Sequence, residues 1–357
     1  MNRFDILYNK FITTTNKYKY IDWDKIEQID DNILIDYTNL SEVNSELNNK
    51  VCMIKLNGGL GTSMGCTGPK SLLEVKDGLN FIDIILEQSK MDPTVPLVLM
   101  NSFYTHFQTD QYLKSKQINI DTNNLTILQF EQSCYPRILC KDNEILDINS
   151  KNKNHLYPPG HGDLLQSLYD SGTLKKLLDM GIEYAMISNI DNLGACIDYK
   201  ILSDFAKSKA EFGLELTLKT LSDTKGGTLI KYDSKYKMFE VAQCPLEKLN
   251  EFTSIEKFKY FNTNNIWINL KAVEKVIRSD YLKDIDLIIN PKKLEDGRDC
   301  IQLEYAIGSM IKFFENIKCY LVPRSRFIPV KRNDDLTLVK SDAYVLDKNN
   351  WKLETKN

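Results

Sequence analysis

The chain has 357 residues, 42% hydrophobic and 27% charged, with a formal net charge of −3. That suffices for one large α/β domain or two smaller ones, and it excludes the basic field that duplex nucleic acid requires. No apolar run approaches the roughly 20 residues that span a bilayer, and the eight cysteines and three histidines lack disulfide-framework or zinc-ligand spacing.

The opening Met1-Asn2-Arg3-Phe4-Asp5 carries no apolar signal region, so a reducing, cytoplasmic setting is the default expectation. The first 50 residues are polar, and short helices docked through Trp23 and Ile26 are expected there. Residues 51–56 form a short apolar run that stops at Asn57-Gly58-Gly59, which reads as a buried strand entering a glycine loop. A helix is predicted over 81–89, strands over 97–100 and 125–130, and an amphipathic helix over 164–178. Residues 184–188 read as a strand ending at Asn189-Ile190-Asp191-Asn192. Strands alternating with helices predict a mainly parallel sheet covered on both faces, with ligands at the carboxyl ends of its strands. Residues 214–218, 228–232, 238–241 and 266–270 read as antiparallel or mixed strands added to that sheet. Residues 301–315 return to helical spacing. No linker or repeat divides the chain, so one domain with inserts is expected.

The glycine loop runs Leu56-Asn57-Gly58-Gly59-Leu60-Gly61-Thr62-Ser63-Met64-Gly65-Cys66-Thr67-Gly68-Pro69-Lys70. Glycines let backbone N–H groups approach phosphate oxygens, and a terminal lysine adds a mobile charge for an oxyanion. Pro69 between Gly68 and Lys70 excludes a Walker A loop, and the spacing of Gly59, Gly61 and Gly65 excludes a dinucleotide fingerprint. The loop resembles the nucleotide loop of eukaryotic-type UTP–glucose-1-phosphate uridylyltransferases. Further segments are similar to that family and in its order: Pro158-Pro159-Gly160-His161-Gly162-Asp163, Ser188-Asn189-Ile190-Asp191-Asn192, Lys225-Gly226-Gly227-Thr228, Phe261-Asn262-Thr263-Asn264-Asn265 and Val322-Pro323-Arg324-Ser325-Arg326-Phe327. The likeness runs from about residue 51 to about 346.

The resemblance implies a Rossmann-like nucleotidyltransferase fold, with an N-terminal helical extension over 1–50, a catalytic domain over 51–335 and a short tail over 336–357. It implies in-line transfer from UTP to glucose-1-phosphate, yielding UDP-glucose and pyrophosphate with Mg2+. Such chemistry needs positioning and charge neutralisation more than a covalent nucleophile. By motif, Lys70 and Lys331 contact the phosphates and Asp191 holds the metal, a single carboxylate being enough for Mg2+ beside phosphate oxygens. Leu56, Asn57, Gly58, Gly59, Gln132 and Gly160 complete the nucleotide site, with the Gln132 amide as uracil reader. His161, Asn189, Gly227, Asn264 and Asn265 fall to the sugar phosphate, with His161 as a phosphate donor on an exposed turn.

Two departures from the family pattern, Thr67 and Cys134, remove positive charge that many relatives carry near the nucleotide. Relatives also usually continue into a C-terminal β-helical domain that helps set oligomeric state, so a monomer or a small oligomer is expected. The competing readings are a pyrophosphorylase of other or broad sugar specificity, such as galactose- or N-acetylglucosamine-1-phosphate, and a nucleotide-sugar binding protein without catalysis.

Overall fold

The computed structural model describes residues 2–14, 21–116, 125–220, 223 and 226–356. Its centre is an eight-stranded sheet. In chain order the strands are β1 (Leu34–Asp36), β2 (Val51–Asn57), β3 (Leu97–Asn101), β4 (Ile127–Glu131), β5 (Tyr184–Asn189), β6 (Phe212–Leu218), β7 (Tyr260–Asn269) and β8 (Ile317–Leu321). Across the sheet they run β1-β8-β6-β7-β5-β2-β3-β4. Every neighbouring pair is parallel except the two that involve β7.

Alternation along the strands explains why both faces are covered. Cys52, Ile54, Val98, Met100, Ala185 and Ile187 pack into one core layer. Val51, Met53, Leu97, Leu99, Tyr184 and Met186 point into the other. Helix Phe81–Met91 starts on a reciprocal cap between Asn80 and Asp83, and Asp198 caps helix Tyr199–Lys207. Among the described residues, no helix is long and apolar enough to cross a membrane.

Several expectations are corrected. Residues 164–178 form two helices, Leu164–Asp170 and Thr173–Asp179, because Gly172 takes the left-handed region at φ 75° and stops the first. The 301–315 segment is not an α-helix. It is a strand, Asp299–Glu304, paired antiparallel with Ile288–Lys293, followed by a 3-10 helix, Ile307–Phe313. The three-residue turn of that helix satisfies the spacing of Ile307 and Met310, which imitates α periodicity. Thr228–Tyr232 and Lys235–Phe239 do not join the central sheet; with Ile26–Glu27 they make a separate one. Trp23 docks there against Phe239 and Phe258. Near the C-terminus, Tyr344–Asp347 and Lys352–Thr355 form a hairpin.

Candidate active site

The parallel strands β2, β3, β4 and β5 deliver their carboxyl ends to one edge, where the chain leaves them at Gly58, Ser102, Gln132 and Ile190. Such an edge is where α/β sheets hold ligands. A cavity of about 340 Å³ opens there, walled by Leu56, Gly58, Gly59, Lys70, Gln132, Gly160, His161, Asn189, Asp191 and Lys331. A larger cavity of about 1120 Å³ shares His161, Asn189 and Lys331 with it and extends past Gly227 and Asn264. Two adjoining compartments with a common polar border suit a ligand in two parts.

The border is an ionic triad. Lys70 Nζ donates to Asp191 Oδ2 at 2.5 Å and also to the Val330 carbonyl. Lys331 Nζ lies 3.1 Å from both oxygens of the same carboxylate. Burial would push the Asp191 carboxyl up, but the charges of Lys331 and Lys70 outweigh it and hold the group below the usual carboxylate range. Two ammonium groups against one carboxylate leave a net positive charge, which favours a polyanion. The turn that carries Asp191 is knitted to the segment that carries Lys331. Val330 N–H donates to the Asp191 carbonyl, Ile328 N–H donates to Asn192 Oδ1, and Gly194 lies so close to the Ser325 carbonyl that a Cβ would sit 2.3 Å from it.

The glycine loop makes room for the Gln132 side chain. A Cβ on Gly58 would stand 2.1 Å from Gln132 Nε2, so the amide rests on bare backbone. Gln132 Oε1 is buried and has no partner among the described residues, which suits an acceptor kept for a ligand. His161 is partly buried. Burial, and after it the charge of Lys331, pushes its imidazole down to about 4, so the ring is neutral near pH 7. Nδ1 accepts from Ile307 N–H at 3.1 Å, which puts the ring proton on Nε2 as a donor. The ring is thus held more firmly than an exposed turn would hold it.

In the larger cavity, Asn264 occupies a bulge. The register between β6 and β7 jumps from Glu215↔Asn265 to Leu216↔Asn262, and Asn264 takes φ 59°. Its Nδ2 donates to Asn189 Oδ1 at 2.9 Å, while its own Oδ1 is buried with no partner among the described residues.

Two predicted site residues do not reach either cavity. Asn57 is fully buried, and its amide turns back to Asn101 and Thr109. Asn265 is fully buried too, donating to Glu215 and to the Arg326 carbonyl. Both follow from strand alternation, which sends a neighbour of a cavity residue to the opposite side. Lys225 lies outside the described residues. Thr67 lines a separate groove with Gln108 and Tyr112, and Cys134 walls neither cavity.

Sequence reasoning missed Glu240, which faces the larger cavity beside Gly227, and Glu304, which faces the smaller one. Each is an acid at or just beyond the end of a short strand, a pattern too common to single out. It also missed Asp223, paired bidentately with Arg324 at 2.7 and 2.9 Å.

The model of the UTP–glucose-1-phosphate uridylyltransferase family matches residues 1–357. The chain belongs to the UTP–glucose-1-phosphate uridylyltransferase family. Within that family it is 46% identical over 354 residues to UTP–glucose-1-phosphate uridylyltransferase 2 of Dictyostelium discoideum, covering 96% of this chain and 69% of that one. Against the Saccharomyces cerevisiae uridylyltransferase the identity is 42% over 367 residues, covering 99% and 72%. The fold is similar to the UDP-glucose phosphorylase structure from Trypanosoma brucei, with TM-score 0.87, 33% identity, and 99% and 78% of the two chains covered. It is also similar to a Leishmania major UDP-glucose pyrophosphorylase variant in complex with UDP-glucose, with TM-score 0.89, 31% identity, and 99% and 78% covered. The family's nucleotidyltransfer generally uses a divalent metal. Among the described residues, no group of three or more His, Cys, Asp or Glu could hold one; the carboxylates that wall the smaller cavity are Asp191 and Glu304.

Proposed function

We propose that residues 51–335 of this chain transfer the uridylyl group of UTP to glucose-1-phosphate, giving UDP-glucose and pyrophosphate. The observation that carries the reading is the convergence of Lys70, Asp191 and Lys331 on the border between two cavities, in a chain of the uridylyltransferase family. UTP occupies the smaller cavity, with uracil at Gln132 and the Gly58–Gly59 backbone, and with the phosphates at Lys70 and Lys331. Glucose-1-phosphate enters the larger cavity, its sugar toward Gly227 and Asn264 and its phosphate toward His161 and Asn189.

A phosphate oxygen of glucose-1-phosphate attacks the α-phosphorus. The bond from that phosphorus to the bridging oxygen breaks, and pyrophosphate leaves with the electron pair. The attacking oxygen is already anionic, so no general base is required, and neutral His161 donates from Nε2. Lys70 and Lys331 neutralise charge as it moves onto the leaving group. Asp191 fits a metal site, being a buried carboxylate that two cations already hold ionised, and Mg2+ is the ion that best suits one carboxylate plus phosphate oxygens. When bound, it supplies further charge neutralisation at the phosphates. The chain's eight free cysteines suit a reducing, cytoplasmic setting, and a monomer or small oligomer is the assembly we propose.

The test is pyrophosphate release with Mg2+ across a panel of nucleoside triphosphates and glucose-, galactose- and N-acetylglucosamine-1-phosphate. The reading expects UTP with glucose-1-phosphate to be the preferred pair. Binding of UTP without release from any pair would show a binding protein instead.

A further inference from the structure

Asp163 is fully buried, yet it faces neither cavity. Its carboxylate gathers three separate pieces of chain. Oδ2 accepts from Ser133 N–H at 2.6 Å and from Ser167 Oγ at 2.5 Å. Oδ1 accepts from Tyr305 O–H at 2.7 Å, and Arg3 Nη1 of the N-terminal helix lies 3.5 Å away as its counter-ion. A buried charge with this many donors is a fixed point, because moving any one donor strands an ion away from water.

What is fixed is the base end of the nucleotide cavity. Ser133 directly follows Gln132, whose amide rests on Gly58. Asp163 itself ends the loop that presents Gly160 and His161. Tyr305 closes on the same loop: its carbonyl accepts from Gly162 N–H at 2.9 Å, and a Cβ on Gly162 would fall 2.6 Å from that oxygen. The base-facing turn and the phosphate-facing loop come from distant parts of the chain, and this carboxylate is where they meet.

We propose that Asp163 is a positioning residue for nucleotide selection, holding Gln132 at a set distance from the phosphate loop with Arg3 as its counter-ion. This rests on Gln132 being the uracil reader. Asp163→Asn keeps the shape but supplies one acceptor oxygen and one donor amide. Either the Ser133 N–H then faces a donor and the base-facing turn loses its anchor, or the NH2 turns to Tyr305, whose hydroxyl can accept it, and to Arg3, which cannot, so that the junction of turn and loop loses its counter-ion.

The measurement is kcat/KM for UTP and for CTP, alongside the thermal midpoint, in wild type, Asp163→Asn, Tyr305→Phe and Gln132→Ala. The wild-type preference for UTP falls about tenfold in Asp163→Asn, the scale of one buried hydrogen bond left unmade. It falls less in Tyr305→Phe, which removes a single donor, folds more safely and decides the question if Asp163→Asn does not fold. A merely structural role would lower the thermal midpoint and both nucleotides' rates together, with the ratio unchanged, and that result overturns the proposal. If Gln132→Ala loses the preference while Asp163→Asn and Tyr305→Phe keep it, the uracil reader stands and only the positioning role fails. If Gln132→Ala keeps it, the uracil reading fails, and this inference with it.

Discussion

Lys331 reaches both carboxylate oxygens of Asp191 at 3.1 Å across 140 positions of sequence. With Lys70 on Oδ2, the carboxylate sits between two cations, and the Val330 carbonyl beside Lys331 holds Lys70 to the same segment. Lys70→Ala should therefore lower turnover by about 3 kcal/mol, on the order of a hundredfold or more, the scale for removing a donor to transition-state charge. Asp191→Ala should abolish metal-dependent turnover. Steady-state pyrophosphate release checks both, and a near-normal rate in either variant would place the chemistry elsewhere.

The same contacts set an order for metal binding. Both oxygens of Asp191 are engaged by ammonium groups, so a divalent ion meets a carboxylate already neutralised. On the proposed reading, a bound triphosphate would draw Lys70 and Lys331 to itself and release the oxygens. Mn2+ titration followed by electron paramagnetic resonance should show weak binding to the free chain and tight binding once UTP is added. Asp191→Asn should lose the gain that the chain adds over UTP alone. Equal Mn2+ affinity with and without nucleotide would contradict the competition.

Much of this site could be read before any coordinates. The run into Asn57-Gly58-Gly59, the lysine after Pro69 and the strand ending near Asp191 are local patterns with local causes, and the family resemblance ordered them. The side chains of Asn57 and Asn265 could not be assigned that way. Their side is set by where each strand's alternation begins, which is a property of the pairing and not of the motif. Glu240, likewise, reaches the cavity only because Thr228–Tyr232 and Lys235–Phe239 leave the central sheet for their own. No periodicity distinguishes a strand that joins one sheet from a strand that joins another.

Gly58 carries a steric prediction. An added Cβ stands 2.1 Å from Gln132 Nε2, closer than any contact tolerates, and the flexible amide is the partner that must yield. Gly58→Ala should raise KM for UTP about tenfold, in line with roughly 1–3 kcal/mol for a lost buried polar contact, while the thermal midpoint changes little. An unchanged KM would mean that the amide does not contact the nucleotide.

His161 gives a pH signature. Its folded-state value is pushed down to about 4 from an ordinary 6.5 by burial and by Lys331. Between those values the unfolded chain binds the more protons, so stability falls as pH drops from 6.5 and levels off below 4. In His161→Gln that part of the pH dependence of the thermal midpoint should vanish. Nuclear magnetic resonance of the ring should show no protonation down to pH 5. A ring that titrates near 6.5 would remove the basis for treating it as a neutral donor.

Glu240 has the opposite sign. Burial alone pushes its carboxyl up to about 7 from 4.5. Between these values the folded chain holds a proton that the unfolded chain has released, so the group's contribution to stability declines as pH rises through the window. Glu240→Gln fixes the neutral form. It should be more stable than wild type at pH 8 by about 3.5 kcal/mol at most, since the two values lie about 2.5 apart and each step of one is about 1.4 kcal/mol, and equally stable at pH 4.5. The gain should come with a loss. Glu240 faces the larger cavity beside Gly227, where sugar hydroxyls would donate to a carboxylate more strongly than to an amide, so KM for glucose-1-phosphate should rise as the chain becomes more stable. A variant stabilised at pH 8 with unaltered KM would separate the buried acid from sugar recognition, and one no more stable at pH 8 would show that the carboxylate already has a compensating partner.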